Sequence, residues 1–367
     1  MKIIFYISSR FLRAVAISSL GIILLIMLLD GSDQANFMSA RGIPPLYGFY
    51  NSLYRLPDFI LKTLPLIILI SGMITFIKLS KSLEIIAAKT SGVTFANILV
   101  GPIILTFMIG LVATALLNPL VSLANSFSHQ YLISLGITKP TEIQLNTKGI
   151  FLREAGGAGY IVTRADKINN VGNVLYNVNR LEFDEENMLK KRVHSTKSKL
   201  IDGDWLLTDA TIWEMHSENN IKHISKDYQS EIKYSTEVTQ EQILNSFADP
   251  TMISIWNLPK FIHQLKMSGF EARKHLRYFQ TELARPLILL AMLLIGCAFT
   301  TTSTVRRSIS VIIVLSLMSG FSLYSFDRLI ASLADNNQVP IFISSVGPPL
   351  SGIFLALSIL IYREESK

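Results

Sequence analysis

The chain has 367 residues, of which 50% are hydrophobic and 17% charged, and its mean hydropathy is +0.40. A soluble domain needs a polar shell, so this composition indicates an integral membrane protein. The net charge of +7 comes from the two ends of the chain, because residues 126–270 hold 16 basic and 17 acidic residues. Charge placed on membrane flanks sets orientation, which argues against a nucleic-acid-binding domain. The single cysteine, Cys297, lies in an apolar run and excludes an intrachain disulfide.

Six apolar runs predict membrane spans, most of them close to the roughly 20 residues that a bilayer requires. They are about Phe11–Leu29, Leu61–Leu79, Ala96–Leu123, Pro286–Thr300, Ile309–Tyr324 and Pro340–Tyr362. The fourth run is short, and the amphipathic pattern before it indicates a helix that enters the membrane from water. Pro340 suits the start of the last helix, whereas Pro348 and Pro349 predict a kink in it.

Orientation follows from the distribution of basic residues among the short loops. The N-terminus, the segment 80–94 and the loop between the fourth and fifth spans carry or adjoin Lys2, Arg10, Arg13, Lys78, Lys81, Lys89, Arg306 and Arg307. The loops on the other side hold only Arg41, Arg55 and Arg328. This asymmetry predicts that both termini and the segment 80–94 lie in the cytoplasm, and that the large middle segment lies outside it.

The middle segment changes character from apolar runs to short alternating patterns. Residues 141–168, 203–215 and 230–238 alternate apolar and polar side chains between turns that contain Gly, Asn and Asp. Several short strands at such spacing predict an antiparallel sandwich or jelly roll. The predicted organisation is a membrane half with three spans (1–125), a β domain with a helical return segment (126–270) and a second membrane half with three spans (271–367).

The segment 80–94, with the sequence SKSLEIIAAKTSGVT, is too short to span a bilayer but has a strong helical pattern. A helix over residues 82–91 places Leu83, Ile86, Ala87 and Thr90 on one face, with Glu84 on another, and Gly92 suits its end. Such a helix could seat in a groove of a partner protein, where Glu84 would meet a basic residue. Equally, it could be a surface helix in which Glu84 pairs with Lys81 three residues earlier.

Enzyme signatures are absent from the sequence, which contains no nucleotide-binding GxxxxGK[ST] loop, no HExxH and no GxSxG. Ionisable residues within or beside the spans lie near the span ends: Lys62, Glu282, Arg285 and Asp327. A proton-coupled carrier usually places such residues near the membrane midplane. The sequence therefore predicts a non-enzymatic chain whose energy source is another subunit.

Several short motifs recur in an order that resembles the permease family of the lipopolysaccharide export transporter, the LptF/LptG type. They are Glu84 followed by Ser91–Gly92, Asp33–Gln34 after the first span, Asn118–Pro119 near the end of the third, LKMSG at 265–269, RPL at 285–287 and the proline-initiated last span. No single motif is specific, but their order and spacing jointly are, and the resemblance covers nearly the whole chain. The DQ, LKxSG and last-span features are closer to LptG than to LptF.

This resemblance implies a function and a set of partners. The family has six spans, a jelly-roll periplasmic domain and a coupling helix that meets a cytoplasmic ATPase dimer, here through Leu83, Glu84, Ala87, Ser91 and Gly92. It implies that the chain holds no cofactor itself and that ATP and Mg belong to the ATPase. The other implied partners are a second homologous permease, a single-span periplasmic β-domain protein and lipopolysaccharide. The implied function is extraction of lipopolysaccharide from the outer leaflet of the inner membrane of a Gram-negative bacterium and its transfer to a periplasmic β bridge.

One departure from the family concerns the lipid head group. LptG-like members carry a lysine-rich patch just outside the first span, where this chain has DGSDQANFMSARG with a single basic residue, Arg41. Either the lipid carries fewer phosphate groups, or other basic residues contact the head group, for which the candidates are Arg41, Lys62, His129 and Arg285. Lys62 could instead be a snorkelling interfacial residue, and Arg285 could pair with Glu282 on the same helix.

Two other classes of function compete with lipopolysaccharide export. The first is the permease of another ABC system, for lipoprotein export or mechanotransmission, although those proteins usually place the large outer domain after the first span. The second is a non-transport membrane sensor or scaffold with a β domain, which should copurify without an ATPase.

Overall fold

The computed structural model describes residues 2–136, 150–156, 159–168, 173–184, 186, 188–201, 203–218, 221–236, 249–267, 272–300 and 309–365. The chain divides into two compact units. The first contains residues 1–131, 250–258 and 273–367, and the second contains residues 132–249 and 259–272. The basic pair Arg306–Arg307 and the last two residues of the LKMSG motif fall outside the described residues.

The helices, in chain order, are α1 (Lys2–Ser39), α2 (Leu46–Lys81), α3 (Glu84–Thr90), α4 (Phe95–Val112), α5 (Asn118–Ser134), α6 (Leu258–Met267), α7 (Arg273–Leu283), α8 (Arg285–Thr300), α9 (Ile309–Asp335) and α10 (Ile341–Glu365). A π-helical turn, Ala113–Leu117, joins α4 to α5. Pro45 directly precedes α2 and Pro340 directly precedes α10, as expected for a residue that fixes φ at a helix start.

Five stretches among the described residues are long and apolar enough to cross a membrane: α1, α2, α4 with α5, α9 and α10. A sixth exists if α7 and α8, which are bent by 50° at the break between them, count as one span. The predicted fourth span, Pro286–Thr300, corresponds to α8, and the amphipathic segment before it forms α7. The helix that ends the chain continues through Pro348 and Pro349 as one element.

The first two helices extend well beyond the predicted apolar runs. α1 has 38 residues and α2 has 36. At 1.5 Å per residue each is more than about 50 Å long, against a hydrocarbon core of about 30 Å, so both project from the bilayer. The polar end of α1 stays helical because its side chains bind α2: Asn51 Nδ2 donates to Gln34 Oε1 at 2.9 Å, and Arg55 lies 2.8 Å from Asp30.

The core of the first unit lies around α8, which packs against α2, α4 and α10. Close approach requires small residues at the contacts. A Cβ on Gly296 would lie 2.9 Å from the Leu69 carbonyl oxygen, and a Cβ on Gly110 would lie 2.6 Å from Pro286 Cα. Cys297 is fully buried in this core. By contrast, α1 and α9 leave most of their apolar side chains exposed within this chain.

The second unit contains one antiparallel sheet, with strands β1 (Ile150–Gly156), β2 (Gly159–Ala165), β3 (Lys167–Ile168), β4 (Val174–Asp184), β5 (Leu189–Ile201), β6 (Asp204–Glu218) and β7 (Ile221–Ser235). The strand order is β1-β2-β4-β5-β6-β7, and β3 pairs with β4 beyond the end of β2. The alternating patterns at 141–168 and 203–215 cover β1 to β3 and most of β6, and that at 230–238 overlaps the end of β7, whereas β4 and β5 lie outside the predicted patterns. Buried side chains on one face include Val178, Val193, Trp205 and Ile212.

Two residues in the middle of the sheet have left-handed backbone conformations, Asn177 with φ 53° and Asp209 with φ 54°. Asn and Asp tolerate this region better than other non-glycine residues. Both positions are skipped in the pairing register, so the ladder is interrupted there. The described strands follow one another as neighbours in a single sheet, and the jelly-roll topology stays a prediction because residues 137–149 and 237–248 lie outside the description.

Candidate functional site

The candidate coupling segment forms a seven-residue helix, α3, shorter than the predicted range of 82–91. It begins after Leu83, whose φ of 58° is left-handed, and it is followed by Gly92 with φ 82°. Left-handed backbone is easy for Gly but costs about 1–2 kcal/mol for a residue with a Cβ. Leu83 therefore turns the chain sharply out of α2, and its backbone is strained.

The face predicted from helical spacing is the exposed one. Leu83 and Ile86 are 59% and 57% exposed, and Ala87 and Thr90 are exposed beside them. On the opposite side Ile85 and Ala88 are half-buried against the core of the first unit. Ser91 and Gly92 are exposed at the end of the helix. The segment thus presents two large aliphatic side chains outward.

Glu84 lies at the first position of α3, and its contacts differ from the local pair that the sequence left open. Its Oε1 lies 3.2 Å from a guanidinium nitrogen of Arg10 on α1 and accepts a hydrogen bond of 2.8 Å from Ser82 Oγ. Lys81 is not among its described contacts. The carboxylate of Glu84 is about one-third exposed, so it remains accessible at the surface.

A pocket of about 260 Å³ that opens to the surface lies beside α3. Its walls are mostly apolar and come from α1, α2, α4 and the segment 84–91: Ile3, Tyr6, Ile7, Leu79, Glu84, Ile85, Ala87, Ala88, Ser91 and Ile98. Glu84 therefore lies at the edge of an accessible, mostly apolar pocket.

Three of the four candidate lipid contacts, Arg41, Lys62 and His129, are exposed, and the first two have partners on their own helix or turn. Arg41 donates to the Phe37 carbonyl oxygen at 3.1 Å and its guanidinium lies 3.7 Å from the centre of the Phe37 ring. Lys62 lies 2.6 Å from Asp58, four residues earlier on α2, and remains 49% exposed. His129 is exposed on α5. The distribution does not form one basic cluster.

The fourth candidate, Arg285, is engaged in the interior. It forms a two-pronged ion pair with Glu282, and a third donor binds the Leu61 carbonyl oxygen at 2.9 Å. Its side chain is 12% exposed and that of Glu282 is 2% exposed. The structure therefore has the Glu282–Arg285 pair that the sequence offered as the alternative, and contact with a lipid head group at Arg285 would require this pair to open.

A polar network around the break between α7 and α8 was only partly visible in the sequence. Thr114, in the π-helical turn, donates to the Glu282 carbonyl oxygen at 2.9 Å. Asn118 donates to Tyr278 Oη at 2.8 Å and accepts from the Ile255 backbone N–H at 3.0 Å. Asn118–Pro119 was singled out as a motif, but no local pattern signals a π-helical turn. These contacts tie α5 and the 250–258 segment to the broken helix pair.

A second polar network lies at the opposite end of α1 from Arg10. Ser128 Oγ donates to Asn51 Oδ1 at 2.7 Å, and Asn51 in turn donates to Gln34. Gly48 lets the helices meet there, since a Cβ at that position would lie 2.5 Å from backbone atoms of Gln34 and Ala35. Gln34 belongs to the DQ motif, whereas Asn51 and Ser128 carry no motif signal. This network holds α1, α2 and α5 together.

Comparison with known proteins identifies the family. The family model of the lipopolysaccharide export system permease LptF/LptG matches residues 5–364. A search of curated proteins gave no significant match. The family consists of transporter components, which work with a second permease and an ATPase. The match spans nearly all of the chain, and the apolar helices agree with it. The chain therefore belongs to the LptF/LptG family and is a multi-pass inner-membrane permease of lipopolysaccharide export.

Proposed function

We propose that this chain extracts lipopolysaccharide from the outer leaflet of the inner membrane and passes it to a periplasmic β bridge, driven by an ATPase that docks on α3. The observation that carries this proposal is α3 itself. It is a short helix between two spans, and it exposes Leu83 and Ile86 with the Glu84 carboxylate beside them. An apolar pair next to an accessible acid suits a groove with a basic residue.

The proposal assigns distinct partners to distinct parts of the chain. A cytoplasmic ATPase dimer, which itself binds ATP and Mg, docks on α3. The apolar flanks of α1 and α9 contact a second homologous permease and the acyl chains of the lipid. Exposed side chains on these flanks include Ile17, Leu20, Leu24, Leu28, Val314, Met318 and Phe321. A single-span periplasmic β-domain protein docks by pairing one of its strands with an edge of the sheet of the second unit, and it receives the lipid from that sheet. Both termini lie in the cytoplasm in this arrangement.

The head group is proposed to meet Arg41, Lys62 and His129, all of which are accessible. Arg285 contributes only when its pair with Glu282 opens. Photo-crosslinkers placed at the exposed positions Arg41 and Lys62 should form adducts with lipopolysaccharide; Arg285 is left unmodified because a crosslinker there would itself remove the pair with Glu282. Absence of adducts at both positions under all conditions would remove this part of the proposal. Among family branches, the motifs favour an LptG-like role.

The proposal is tested by copurification and reconstitution. An ATPase and a second permease should copurify with this chain in detergent. Proteoliposomes that contain the purified complex should release lipopolysaccharide only when ATP is supplied. Glu84→Ala is expected to uncouple or disassemble the complex. Glu186→Ala removes the same group from an exposed position in the turn between β4 and β5 and serves as the matched control. Unchanged assembly and export in Glu84→Ala would refute the role of α3.

A further inference from the structure

The carboxylate of Glu84 is held by its own chain in a specific way. Both described contacts, from Arg10 and from Ser82, use the same oxygen, Oε1, at 3.2 Å and 2.8 Å. A carboxylate offers about four acceptor positions over its two oxygens. These two contacts therefore locate Oε1, and neither of them involves Oε2.

The two residues that hold Glu84 are themselves held. The Arg10 guanidinium lies 4.7 Å from the centre of the Tyr6 ring, one helical turn earlier on α1. The single hydroxyl proton of Ser82 is shared between Glu84 Oε1 and the Lys78 carbonyl oxygen, which lies 3.0 Å from Ser82 Oγ in the last turn of α2. Glu84 is thus contacted both by α1, through Arg10, and by the residue that follows α2, Ser82.

We propose that Arg10, assisted by Ser82, is a positioning residue that fixes Glu84 Oε1 and so turns Oε2 toward a cationic side chain of the docked ATPase. This inference rests on the proposed docking at α3. Restraining a carboxylate in its binding orientation raises affinity because less side-chain freedom is lost on docking. The same ion pair connects α3 to α1, so that displacement of α3 by the ATPase is transmitted to α1.

The test measures binding of the purified ATPase to the complete permease complex for Arg10→Gln, Arg10→Lys and a control, Arg13→Gln. Arg13 is an exposed arginine on the same helix with no described contact to Glu84. Arg10→Gln should weaken binding about 2- to 5-fold, the range of partly exposed ion pairs worth up to about 1 kcal/mol. Arg10→Lys should restore part of the affinity, and Arg13→Gln should leave it unchanged. Unaltered binding in Arg10→Gln would overturn the inference.

A double-mutant cycle separates positioning from general stability. If Arg10 acts through Glu84, Arg10→Gln should have no further effect on binding in a Glu84→Gln background. An equal effect in both backgrounds would show that Arg10 acts elsewhere and would overturn the inference. The exchange Arg10→Glu with Glu84→Arg should restore the thermal midpoint but not the binding, because it rebuilds the internal pair with the wrong charge facing the ATPase. Restored binding in the exchanged protein would also overturn it.

Failure of this inference and failure of the proposed function are distinguishable. If Glu84→Gln alone leaves ATPase binding unchanged, the docking role of Glu84 is wrong. If Glu84→Gln weakens binding and Arg10→Gln does not, docking stands and only the positioning role is lost.

Discussion

Leu83 offers a test in which two variants should lose docking alike but differ in stability. Its backbone is left-handed, with φ 58°, and its side chain is 59% exposed. Leu83→Ala removes the side chain and keeps the strain, whereas Leu83→Gly removes both. Relief of about 1–2 kcal/mol of left-handed strain, less about 0.5–1 kcal/mol for the greater freedom of unfolded Gly, leaves the Gly variant up to about 1.5 kcal/mol more stable than the Ala variant.

The docking magnitude follows from the exposed fraction. Complete burial of a leucine side chain is worth about 1.5–3 kcal/mol, so covering the exposed 59% of Leu83 contributes about 1–2 kcal/mol to ATPase binding. Both variants should therefore bind the ATPase about 5- to 30-fold more weakly than the unmodified chain. Affinity is measured by titrating purified ATPase against the permease complex in detergent, and stability by thermal unfolding of the same samples.

Two outcomes would refute this reasoning. One is binding within about 2-fold of the unmodified chain in both variants, which would mean that the Leu83 side chain is not covered by the ATPase. The other is a Gly variant that unfolds at a lower temperature than the Ala variant, which would contradict the strain. Leu329→Ala removes a leucine that is 64% exposed on α9 and should leave ATPase binding unchanged.

Three further outcomes are expected. Gly48→Ala should destabilise the α1–α2 contact by about 1–3 kcal/mol because its Cβ would lie 2.5 Å from backbone atoms. The control Gly21→Ala, whose Cβ would meet nothing within 4 Å, should unfold at an unchanged or higher temperature, and equal thermal midpoints for the two variants would contradict the close approach at Gly48. Arg285→Gln should lower the free energy of unfolding by about 3–5 kcal/mol even in lipid-free detergent, because it leaves the buried Glu282 carboxylate without its ion-pair partner. The double variant with Glu282→Gln should recover most of that stability, and no recovery would argue against the pair. Asn118→Leu removes its hydrogen bonds and should lower the free energy of unfolding by about 1–3 kcal/mol, which is seen as a lower thermal midpoint. An unchanged midpoint would count against the network.

Hydropathy alone predicted most of the membrane architecture, because a spanning helix must be apolar over its whole length. Pro286–Thr300 also forms one helix, but the 50° bend just before it was not predicted. Pro286 has no backbone N–H to donate to the Glu282 carbonyl oxygen, which accepts from Thr114 in the π-helical turn instead, and that partner is distant in sequence. The alternating patterns located β1 to β3, most of β6 and the end of β7, but they missed β4 and β5. They did not determine strand order or the interruptions at Asn177 and Asp209, which depend on pairing between strands.

The candidate site was predictable where its signal is local. Helical spacing correctly grouped Leu83, Ile86 and Ala87 on one face, and Gly92 has the positive φ expected after a helix. The partner of Glu84 was not predictable in the same way. Local spacing offers only Lys81, whereas Arg10 reaches Glu84 through the packing of α1 beside α2 and α4. The left-handed conformation of Leu83 was also hidden, because leucine gives no sequence signal for it.

The most direct test of the account is the accessibility of a cysteine introduced by Ile86→Cys. The chain's own Cys297 is buried, so a membrane-impermeant maleimide reports on the new thiol alone. The account expects no labelling in spheroplasts, full labelling in inside-out vesicles stripped of the ATPase, and protection when purified ATPase is added back. Labelling from the periplasmic side, or labelling that the ATPase does not reduce, would contradict the assignment of α3 as the docking helix.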